Sequence, residues 1–69
     1  MRFQHAYAYA KHGRKIRCPE WGGYWYWCPE RQVLMIHTRD NEELAFTETK
    51  DFDFTMSFVF RDDWELIDE

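Results

Sequence analysis

The sequence predicts a small α+β fold in one domain, residues 1–69, with one short N-terminal helix packed on a small antiparallel sheet of about five strands. Three patterns lead there. Apolar residues near the start recur at helical spacing, and Tyr24-Trp25-Tyr26-Trp27-Cys28 is a run of very high strand propensity. Late in the chain Phe52, Phe54, Met56, Phe58 and Phe60 occupy every second position, the alternation of a half-buried strand.

Taken in order, Phe3, Ala6, Tyr7 and Ala10 fall at i, i+3, i+4 and i+7, with Lys11 and His12 in the last turn and Gly13 after them. This predicts an amphipathic helix of about ten residues with a basic end and a glycine stop. Ala6-Tyr7-Ala8-Tyr9 also alternates as a strand would, but alanine favours the helix. Residues 14–18 read as a brief strand stopped by Pro19. Trp21-Gly22-Gly23 reads as a turn into the aromatic strand 24–28, and the two strands pair if the turn is centred on the glycines. Both faces of strand 24–28 are then aromatic, so one of them meets something other than water. Val33-Leu34-Met35-Ile36 suits a strand buried on both faces, Arg39 to Glu43 is a polar loop, and Leu44-Ala45-Phe46 returns from it. The alternation at 52–60 predicts a strand whose register is tightly held, because a one-residue slip would expose all five apolar side chains. Asp62-Asp63 turns the chain into a last short strand at Trp64–Ile67.

A chain of 69 residues has little room for a deep aliphatic core, and 14 of its side chains are aromatic. Each buried ring removes about 150–250 Å² from water, so fourteen exceed what one small core has to enclose. The excess points to a ligand or another subunit. Charge is unevenly spread: residues 1–31 carry six Lys/Arg against two acids, and residues 32–69 three against eleven, so a first part of +4 joins a second of −8. The net −4 argues against duplex nucleic acid, while a basic first half can hold a small anion or complement the acidic half of another copy. No run of 18 apolar residues suggests a membrane span, and no apolar signal core opens the chain.

Chemistry-bearing motifs are sparse. Cys18 and Cys28 with His5, His12 and His37 are zinc-type ligands, but none stands in a close Cys-x-x-Cys or His-x-x-x-His pair, so structural cysteines are expected. A disulfide across the predicted hairpin is the remaining alternative. Ser57, the single serine, lies inside the alternating segment, and Trp21-Gly22-Gly23 is too short for a phosphate loop. These features predict no enzyme, no metal and no cofactor. The stretch from Arg14 to Trp27 is more informative. It combines Arg14, Lys15 and Arg17 with Trp21, Tyr24 and Trp25, and rings that stack on bases beside cations that grip phosphate are what a nucleotide site requires. The alternative is a sheet packing its aromatic residues under the helix with a solvated charged rim.

The order of these residues resembles a known family. The helix with Phe3, Ala6, Tyr7 and Ala10, the Gly13 stop, Arg14-Lys15, Ile16-Arg17, Trp21-Gly22-Gly23 and the closing Asp62-Asp63-Trp64-Glu65-Leu66 look like the small phage proteins that act as signal sponges against Thoeris defence. The chain differs from them in a shorter middle, in Gly22 where asparagine is common, and in Phe58-Val59-Phe60-Arg61 before the closing motif. The resemblance implies a homo-oligomer, dimer or tetramer, in the cytoplasm of an infected bacterium. It also implies sequestration, without cleavage, of a cyclic nucleotide signal of the cyclic ADP-ribose or cyclic oligonucleotide type. On this reading Arg17, Arg14 and Lys15 meet phosphates, Trp21, Tyr24 and Trp25 stack on base or ribose, and Asp63 accepts from a ribose hydroxyl. A different class remains open: an anti-CRISPR-like inhibitor whose acids, from Glu42 and Glu43 to Asp68 and Glu69, imitate nucleic acid before a basic protein channel.

Overall fold

A computed structural model describes residues 1–67; Asp68 and Glu69, counted above in the acidic set, lie outside the described residues. The chain is an α+β domain with five antiparallel strands in the order β4-β3-β2-β1-β5. Helix α1 spans Phe3–Lys11, followed by β1 (Lys15–Arg17), β2 (Tyr24–Cys28), β3 (Val33–His37) and β4 (Glu43–Ala45). A second helix, α2 (Phe52–Ser57), precedes β5 (Glu65–Ile67), with 3-10 turns at Phe46–Glu48 and Phe58–Phe60.

α1 ends as its glycine predicts. Gly13 takes φ +96°, a conformation costly for residues with a Cβ, and its N–H donates to the Ala10 carbonyl at 2.9 Å. Ala6 and Ala10 are buried; their small side chains bring the helix close to the sheet, while Phe3 and Tyr7 set their rings edge-on to Trp25 and Trp27.

Strands β1, β2, β3 and β4 are antiparallel neighbours in chain order, and β5 closes the other edge of β1 with Ile16 opposite Leu66. Pleating then sorts the side chains. Ile16, Trp25, Trp27, Leu34 and Ile36 face the helices, and Lys15, Arg17, Tyr24, Tyr26, Met35 and His37 take the opposite face. The core centres on Trp25 and Trp64, exposed by only 3% and 2%. Their rings lie 5.0 Å apart, both contact Phe3 and Trp21, and the Trp64 indole N–H donates to the Phe58 carbonyl at 2.9 Å.

Residues 52–60 are not the alternating strand that their pattern predicts. They form α2 and the 3-10 turn behind it, and the expected core face is largely outside: Phe52, Phe54 and Phe60 are 46%, 61% and 82% exposed. Local capping supplies the physical reason. The Asp51 carboxylate accepts from the Phe54 N–H at 3.0 Å and the Thr55 hydroxyl donates to the Asp51 carbonyl at 3.0 Å, so Thr55 turns inward and is buried. Phe54 and Phe58, four apart, then meet edge to face, a contact that only helical spacing permits.

Cys18 and Cys28 are free thiols. With Ile16 opposite Trp25, Cys18 lies towards the β1–β2 connection and Cys28 at the far end of β2, which rules out the cross-hairpin bridge. Replacing Trp64 by alanine should lower stability by about 3–5 kcal/mol, read as a shift of the urea unfolding midpoint followed by tryptophan fluorescence.

Candidate functional site

Two turns meet at one end of the sheet and the approach is close. A Cβ on Gly23 would stand 2.1 Å from the His37 carbonyl oxygen, and one on Gly22 would stand 2.9 Å from Cβ of Arg39. Both are under any real Cβ contact, so Trp21-Gly22-Gly23 is glycine-rich because the β3–β4 connection presses against its backbone. No phosphate cradle is needed to explain it.

Below this junction α2 stands off the sheet and leaves a cleft of about 480 Å³, within the range of about 300–1,000 Å³ usual for small-molecule sites. Trp25, Ile36 and Leu44 form the sheet wall, Phe54, Thr55 and Phe58 the helical wall, and Trp21, Tyr24, His37 and Arg39 also line it. Trp21 is held by edge-on contacts with Phe58 and Trp64, so its ring is positioned before any ligand arrives.

The residues predicted to share one ligand are divided between four places. Trp21, Tyr24 and Trp25 line the cleft, Trp25 as part of its buried wall. Lys15 and Arg17 lie on the other sheet face, and Arg14 occupies the turn between α1 and β1. The Lys15 ammonium stands 4.7 Å over the Tyr24 ring, which stacks on His37 with centroids 4.7 Å apart and planes 11° from parallel. Tyr24 therefore belongs to the cleft and to this cation–π ladder together. Arg17 reaches back to the Trp21 carbonyl at 3.5 Å and lies 3.6 Å from Glu65.

Asp63 does not line the cleft. It pairs with Arg61, whose guanidinium also grips Glu20, tying the β1–β2 connection to the segment before β5. Hydrogen bonds from Arg61 hold both carboxyls below their usual range. Nearby Cys18 is buried, which pushes its thiol up to about 11 and leaves it protonated at neutral pH. Among the described residues no group of three His, Cys, Asp or Glu side chains is placed to hold a metal ion, and no helix is long and apolar enough to cross a membrane.

His37, Arg39, Phe54 and Phe58 were not among the expected site residues. His37 was legible in principle, since pairing β2 with β3 sets it opposite Tyr24. Phe54 and Phe58 were hidden by the misleading alternation. Comparison with family models, with curated proteins and with solved structures finds no match to the chain.

Two titrations check this geometry. Depressed carboxyl pKa values stabilise the fold above the ordinary carboxylate range of about pH 4, and this contribution fades as pH falls through the lower folded values. The stability gap between the native protein and Arg61→Met should therefore be open at neutral pH and close in acid, as followed by thermal melting across pH. On the outer face the Tyr26 hydroxyl donates to Glu43, which pushes its phenol up to about 12. That contribution is whole below the ordinary tyrosine value of about 10 and is lost as pH rises through the folded one. Spectrophotometric titration should show one late phenol that Glu43→Gln returns to the ordinary range.

Proposed function

We propose that the protein captures a cyclic nucleotide signal in the cleft between the sheet and α2 and holds it without converting it. One observation carries this reading: a half-open apolar cleft in which pre-positioned rings, Trp21 and Phe58, share the lining with Arg39. Flat aromatic faces take a base or a ribose edge, and a guanidinium takes a phosphate through two parallel hydrogen bonds. The sequence resemblance to phage signal sponges supports the same class of ligand, with Arg39 in the phosphate-binding part that the sequence assigns to Arg14, Lys15 and Arg17. A sponge wins by mass action. Against an effector sensing nanomolar signal it needs a dissociation constant of about 1 nM or less, roughly −12 kcal/mol.

Isothermal titration with cyclic ADP-ribose isomers and cyclic dinucleotides tests the proposal. One of them should bind saturably and be recovered intact, and Arg39→Ala should weaken it by about tenfold or more, the loss expected for a charged hydrogen bond of about 1.5–3 kcal/mol. Absence of heat with every ligand, or recovery of a cleaved product, refutes the reading.

A further inference from the structure

We propose, on the reading of the cleft as a nucleotide site, that Gly22 is the positioning residue for its cation: the glycine leaves the space over which the Arg39 side chain runs, and so sets where the guanidinium meets a phosphate. The two glycines of the junction are small for different reasons. Of the glycines, Gly13 is the one with a positive φ, so neither Gly22 nor Gly23 holds a backbone conformation that a Cβ forbids. Space decides at both. At Gly23 the obstacle is main chain, the His37 carbonyl oxygen and the Thr38 backbone. At Gly22 the three nearest atoms belong to one side chain: Cβ, Cδ and Cγ of Arg39 stand 2.9, 3.7 and 3.9 Å from where a Cβ would be. The stem of Arg39 thus lies over Gly22, and both residues line the cleft.

The root of that stem is held by its own turn. The Thr38 N–H donates to the Glu42 carbonyl at 2.9 Å and the Asn41 N–H to the Thr38 carbonyl at 3.0 Å, while the Thr38 hydroxyl oxygen accepts from the Asp40 and Glu42 N–H groups at 3.3 and 3.1 Å. A methyl group at position 22 would push on the Arg39 Cβ, and the guanidinium at the far end of the side chain would be displaced with it. The charge so placed is uncommitted. Among the described residues the exposed Arg39 guanidinium has no hydrogen-bond or ionic partner, and Glu20, the carboxylate in the same lining, is gripped by both terminal nitrogens of Arg61. An unpaired guanidinium beside apolar rings suits a phosphate, which it can meet with two parallel hydrogen bonds.

Four proteins test this: the native chain, Gly22→Ala, Arg39→Gly and the double variant, each read by thermal melting and by isothermal titration with cyclic ADP-ribose isomers and cyclic di-adenosine monophosphate. Gly22→Ala should lower the melting midpoint of the native chain by about 4 °C or more, the effect of a tight contact forced on a domain of this size. In the Arg39→Gly background, where the Cβ it meets is gone, it should cost little. Gly23→Ala, which meets main chain, should cost as much in either background. In binding, Gly22→Ala and Arg39→Gly should each weaken the tightest of the ligands by about tenfold, and the double variant should be no weaker than Arg39→Gly, because both changes remove one contact. An equal melting cost of Gly22→Ala in both backgrounds overturns the proposal. So does native affinity in Gly22→Ala, or a double variant in which the two losses multiply. If the native chain binds none of these ligands, the nucleotide reading and the phosphate contact of Arg39 fall together, whereas the melting cycle still decides whether Gly22 holds Arg39.

Discussion

The structure depends on the burial of Trp25 in the middle strand of the sheet. Its ring meets Phe3 from α1, Trp21 from the β1–β2 connection, Phe46 from the turn after β4, and Trp64 from the approach to β5. One side chain thereby joins segments from the start, middle and end of the chain. A domain of 69 residues cannot offer many aliphatic layers, and a set of large rings packed edge-on or tilted against one another buries more area per residue than branched aliphatics would. The chain ends are drawn into the same arrangement, since Met1 and Trp64 exchange backbone hydrogen bonds at 2.8 and 2.9 Å.

That centre explains which elements were legible. β2 was, because Tyr-Trp-Tyr-Trp has no comfortable place except a strand covered on at least one face. α1 was, because its helical spacing and Gly13 agree. Residues 52–60 were misread because their alternation is a weak instruction beside a local one: Asp51 and Thr55 satisfy the first turn of a helix by themselves, and three phenylalanines are left outside. A period of two records which residues are apolar, but neither what they touch nor whether solvent or a partner covers them. Fold class survived this error because the other expected segments, near 14–18, 24–28, 33–36, 44–46 and 64–67, supply five strands without 52–60.

The expected ligand set fared differently, for a geometric reason. Adjacent residues of a strand point to opposite faces, so Lys15 and Arg17, on either side of inward Ile16, lie on the face away from the cleft that Trp21, Tyr24 and Trp25 line. Sequence proximity favoured Arg17 as the phosphate contact, while the cation that lines the cleft is Arg39, contributed by a connection that only the β2–β3 register brings alongside. Asp63 serves a tether rather than the cleft.

The contact between Gly23 and the His37 carbonyl has an evolutionary consequence. Main chain meets main chain there, so the junction above the cleft admits almost no substitution. Arg39 and Phe54 line the same cavity from exposed positions, where side chains can be exchanged at little cost to folding. The chain thus combines a fixed main-chain junction with an adaptable rim, an arrangement in which the lining of the cavity can change while the scaffold stays the same.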